Sequence, residues 1–130
     1  MGPRVHDMQL RDIIDIILKV RAGGYSFEAA NPRHEHEWQD WKRVKLPDDK
    51  VLMPGVITQS TVLVEHPELV AQRIARFVDI VGRERVIASA DCGFASFAGS
   101  NEVHPSIVWA KFAALVEGAR IASKRLWGKP

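Results

Sequence analysis

Three short apolar runs alternate with stretches of helical periodicity, and that alternation restricts the fold more than any other feature of the chain. The runs are YSFEAA at 25–30, KVLMPGVI at 50–57 and RVIASA at 85–90. Before the first lies LRDIIDIILKVRAGG, in which Leu10, Ile13, Ile14, Ile17 and Leu18 share one helical face while Arg11, Asp12, Asp15 and Lys19 fall mostly outside it. Asp15 and Lys19 stand four apart in the favourable order, and Gly23-Gly24 is expected to end this helix. Asn31-Pro32 marks the end of the first strand, because the residue before a proline is pushed away from helical dihedrals. RHEHEWQDWKRV reads as a short helix with Trp38 and Trp41 on one side, followed by a turn at LPDD.

After the second run, TQST is loop-like. EHPELVAQRIARFVDIVG then gives a helix opened by Pro67, striped by Val70, Ile74, Phe77, Val78 and Val81, and closed by Gly82. The third run leads through DCGFASFAGSNEV into a last helix, HPSIVWAKFAALVEGARIASKRLW. Strands alternating with helices predict an α/β fold, a parallel sheet with helices packed on it. Consecutive apolar positions in VLM and VIA suit strands covered on both faces. At 130 residues the chain is one domain. Three strands are too few for a closed barrel of eight strands and about 250 residues. An open parallel sheet leaves two apolar edges, so the chain is expected to self-associate or to meet a complementary polypeptide.

The totals exclude several classes. A content of 46% hydrophobic and 26% charged residues is that of a globular protein. The longest apolar run, Ile13 to Leu18, is broken by Asp15 and falls far short of the roughly 20 residues of a membrane span. MGPRVHDMQL lacks the pattern of a secretory leader, and a single cysteine forms no internal disulfide, so a reducing cytoplasm is the expected compartment. With a formal charge of +2, and with its densest basic patch (KRVK, 42–45) following Glu35, Glu37 and Asp40, the chain is not expected to bind nucleic acid.

In parallel α/β folds, chemistry gathers where strands run into the following loops. Glu28 closes the first strand, Thr58 to Ser60 follow the second, and Asp91-Cys92 follow the third. If the strands are neighbours, a carboxylate, hydroxyls and a thiol converge on one rim. Carboxylate and thiolate are ordinary zinc ligands, and zinc takes four of them, or three plus substrate. The residues alone leave other readings open: Cys92 as a small buried hydrophobe at a strand end, and Glu28 as a solvated or salt-bridged carboxylate. His34 and His36 diverge on a helix and read as a polar helix start, while His66 and His104 precede prolines that open helices. The four tryptophans read as packing, and the glycines match no phosphate loop.

YSFEAANPRHEHEW, KVLMPGVI, VEHPELVAQRIARFVDIVGRERVIASADCGF and the last helix together resemble the C-terminal part of the cobalamin-independent methionine synthase superfamily. The likeness is strongest to its shorter single-barrel members of methionine-synthase-like or epoxyalkane:coenzyme M transferase-like type. The resemblance implies that residues 1–130 are the last three or so βα units of a (β/α)8 TIM barrel, incomplete as a barrel, from a zinc-dependent enzyme that transfers a methyl or alkyl group to a thiol such as homocysteine. In that family the metal is held by a His-x-Cys pair, a glutamate after the next strand and a second cysteine in an Asp-Cys-Gly stretch. Matched residue by residue, the glutamate falls on Glu28 and the second cysteine on Cys92. Thr58, Ser60 and Asp91 remain as substrate-side candidates. Thr58 and Ser60 replace an aspartate and a histidine of the larger synthases, so no proton relay carries over to them. The His-x-Cys pair is absent, and the family pattern places it just before residue 1. The chain alone is therefore expected to hold zinc weakly and to be inactive. It reads either as a piece that works with a complementary N-terminal chain or as a noncatalytic, self-associating remnant.

Overall fold

The computed structural model describes residues 3–128. It is an α/β fold built on three parallel strands in the order β1-β2-β3. The chain runs from helix α1 (Leu10–Ile17) to β1 (Gly24–Phe27), a 3-10 helix (Glu35–Lys42), β2 (Val51–Ile57), α2 (Pro67–Val81), a short 3-10 turn (Arg83–Arg85), β3 (Ser89–Ala90) and α3 (Pro105–Trp127). Gly24 pairs with Val51 and Phe27 with Pro54 across the first ladder, and Gly55 with Ser89 across the second. No described helix is long and apolar enough to cross a membrane.

Helix boundaries at α2 and α3 follow the expected chemistry. The His66 and His104 side chains accept the amides of Glu68 and Ser106, with a proline in each first turn. Gly82 closes α2 at a φ of 96°. At α1 the expectation fails, because the helix stops at Ile17, well before Gly23-Gly24. The backbone itself closes the helix there: the Leu18 amide bonds the carbonyl of Ile14, and the Lys19 and Val20 amides bond those of Ile16 and Ile17 in tightened three-residue turns. Gly24 instead begins β1, where a Cβ would lie 2.9 Å from Val51 Cγ2. The first strand also stops at Phe27, because the amides of Ala29 and Ala30 turn to a side chain. Of RVIASA only Ser89-Ala90 is strand, joined to β2 earlier by an isolated bridge from Val86 to Leu52, with a register shift between Gly55 and Ile57.

Two apolar clusters fill the interior. Leu10, Ile14, Tyr25, Trp41, Leu52 and Phe77 meet where α1, β1, β2 and the 3-10 helix converge. Val56, Ile57, Val70, Ile74 and Ala122 join β2 to α2 and α3. Each buried valine, leucine, isoleucine or phenylalanine among them contributes about 1.5–3 kcal/mol. Helices α2 and α3 pack so closely that a Cβ on Gly118 would lie 2.4 Å from Val70 Cβ. Coverage on both faces holds for β2, where Leu52, Val56 and Ile57 are fully buried, but not near β3, where Ile87 is 52% exposed.

Candidate functional site

The loops after β1, β2 and β3 lie along one end of the sheet because the strands are parallel and adjacent. Asp91, with no solvent exposure, binds two of these loops together. Its Oδ1 accepts the amides of Ala29 at 2.8 Å and Ala30 at 3.1 Å, and its Oδ2 accepts Asn31 Nδ2 at 3.0 Å. The same Asn31 amide donates to Glu28 Oε2 at 2.9 Å. One side-chain amide therefore spans the carboxylate that ends β1 and the carboxylate that ends β3. Gly55 in β2 makes room for this, since a Cβ there would fall 1.9 Å from Asp91 Oδ1. Burial pushes the Asp91 carboxyl above its ordinary range against the pull of its three donors, and the neighbouring Glu28 charge adds to the rise.

Cys92 follows directly. It is exposed, which removes the buried-hydrophobe reading, and its φ of 40° lies in the left-handed region that side chains rarely adopt. Glu28 is half-buried and bonded to the Asn31 amide. Thr58 and Ser60 sit after β2 with their hydroxyls 2.9 Å apart. Asp91, expected on the substrate side, is turned into the protein with both oxygens taken by the β1 loop.

A second buried group holds the β2 loop. Lys111 of α3, with no solvent exposure, donates to both oxygens of Glu65, at 3.2 and 3.1 Å, and to the carbonyl of Leu63 at 2.7 Å. Glu65 in turn accepts the Thr58 amide at 2.8 Å. The sequence pattern by itself gives this ion pair, Asn31 and Gly55 no part in the site. A lone lysine in the apolar stretch VWAKFAALV was the one signal for a buried cation. His34 does serve the polar start of the 3-10 helix, with Nδ1 at 2.8 Å from Glu37 Oε2, whose carboxylate also accepts the Leu10 amide.

Among the described residues, no three His, Cys, Asp or Glu side chains come together to hold a metal. Glu28 and Cys92 have the right donor chemistry, but two ligands do not complete a zinc site, which takes three or four. The donors in this chain alone do not fit the ion.

The class these features define is a parallel α/β sheet with a polar rim at the strand ends. No protein-family profile and no curated protein matches the sequence. Among solved structures, the fold is similar to a B12-independent methionine synthase from Shewanella sp. W3-18-1 in complex with selenomethionine. The TM-score is 0.74 and the identity 21%, over 90% of this chain and 31% of that one. At that identity the likeness is one of fold, and this chain spans under a third of that structure's length.

Proposed function

We propose that this chain is the C-terminal segment of a cobalamin-independent methionine-synthase-like enzyme, a zinc-dependent methyl or alkyl transferase acting on a thiol of the homocysteine kind. Glu28 and Cys92 contribute two metal ligands, and the others come from polypeptide outside residues 1–130. The observation that carries this reading is the Asn31 amide held between Glu28 and Asp91, which draws the Glu28 loop to the residue preceding Cys92. The fold likeness over 90% of the chain supports it, and supports reading the three strands as the closing units of a (β/α)8 barrel.

Zinc bound in a completed site would lower the pKa of a substrate thiol, so that a thiolate nucleophile exists near neutral pH. The chain's own residues have supporting tasks. Asn31 and Asp91 orient Glu28, leaving one of its oxygens free of the Asn31 contact, and the Lys111–Glu65 pair fixes the loop bearing the Thr58 and Ser60 hydroxyls. A cytoplasmic setting would keep the exposed Cys92 thiol reduced.

The test is complementation with an N-terminal fragment of a B12-independent methionine synthase that carries the His-x-Cys pair. The proposal expects a complex that retains zinc and loses it with either Cys92→Ser or Glu28→Gln. A stable complex whose zinc ignores both substitutions would overturn the assignment. Exposed Leu63 (74%), Trp109 (71%) and Val116 (69%) favour the second reading, a self-associating module without catalysis, in which the chain would oligomerise but not pair with such a fragment.

A further inference from the structure

Between the 3-10 helix and α2, a cleft of about 540 Å³ opens that none of the rim residues lines. Its cations are arranged around one indole. Lys42 Nζ lies 4.3 Å from the centroid of the Trp38 ring, and the Arg76 guanidinium carbon 5.8 Å. Arg76 shares Glu35 with Arg73, whereas Lys42 makes no ion pair among the described residues. Asp79 is the one carboxylate in the lining, so cations outnumber it there. Trp41, which also lines the cleft, is 2% exposed and packs on Phe27 with ring centroids 4.9 Å apart, yet its buried indole N–H meets no acceptor. Buried donors in folded proteins almost always find partners, and this one is left without a partner among the described residues.

We propose that this cleft is a binding site for a small organic anion, a carboxylate carried on a flat apolar body. Lys42 and Arg76 take the carboxylate, while Trp38, Trp41 and Ile80 offer the apolar wall that an inorganic anion would leave unused. The site shares no residue with Glu28, Asp91 or Cys92 and stands independently of the metal proposal.

Nuclear magnetic resonance of the full chain tests it, since the four tryptophans give four indole N–H signals that single Trp→Phe replacements assign. The probes are 2-naphthoate and its neutral counterpart, 2-naphthalenemethanol. The Trp38 and Trp41 signals move saturably with naphthoate, at least about tenfold more weakly with the alcohol, and about tenfold more weakly in Lys42→Glu, while Trp109 and Trp127 stay put. Lys42 is exposed, so that variant retains the fold. Non-saturating shifts, equal response to the alcohol, equal movement of Trp109 or Trp127, or indifference to Lys42→Glu each overturn the proposal.

Discussion

At the end of β3 one carboxylate accepts two backbone amides and a side-chain amide in a place closed to solvent, with Gly55 leaving just enough space beside it. Asp91→Asn keeps the size but presents a second NH2 to Asn31. It should cost about 1–3 kcal/mol in urea denaturation through the unmatched donors. Because burial raises the folded-state pKa of Asp91, the folded protein resists its ionisation. The contribution of this group to stability is therefore full below the unfolded pKa and declines as pH rises through the raised value, levelling off above it. The stability advantage of the native chain over Asp91→Asn should be larger at about pH 4 than at about pH 7, and a gap that widens with pH would contradict this account. At this scale the sequence was partly legible. The sequence places Glu28 and Cys92 at strand ends, and in the structure they do lie just past β1 and β3. The inward turn of Asp91 was not readable, because it depends on an amide three residues beyond Glu28 and on a missing Cβ in a different strand.

Among the elements, α3 does more than cover the sheet. Through Lys111 it reaches under the loop that follows β2 and holds Glu65, which in turn holds Thr58. Lys111→Met alone leaves a buried carboxylate without its cation and should cost about 3–5 kcal/mol in chemical denaturation. Adding Glu65→Gln removes that charge while keeping an acceptor for the Thr58 amide, so the double variant should recover a substantial part of the loss. A double variant no more stable than Lys111→Met would mean that the pair's charge is not what matters. Helices α2 and α3 were legible to within a residue because histidine, proline and glycine punctuate them. The end of α1 was not, since tightened backbone turns close it well ahead of the glycines, and the brevity of β3 follows from a register shift that no local pattern encodes.

For the molecule as a whole, the parallel sheet is open at β1 and at β3, and Phe97, Trp109, Val116 and Leu63 are each about 70% exposed. Light scattering should find a species larger than the 14.6 kDa chain, or a partner bound to it. A monodisperse monomer would count against the idea that another polypeptide completes this fold. The alternation of strand and helix announced the layered architecture, and the count of three strands announced that it was open.

The central claim is that Glu28 and Cys92 are two of a metal's ligands and that the chain lacks the rest. Its most direct test is the zinc affinity of the purified chain, by competition with a chromophoric chelator, for the native sequence, Glu28→Gln and Cys92→Ser. The account predicts weak binding that weakens further in each variant while both remain folded. One tightly held zinc per chain, or weak binding unchanged by either substitution, would contradict it.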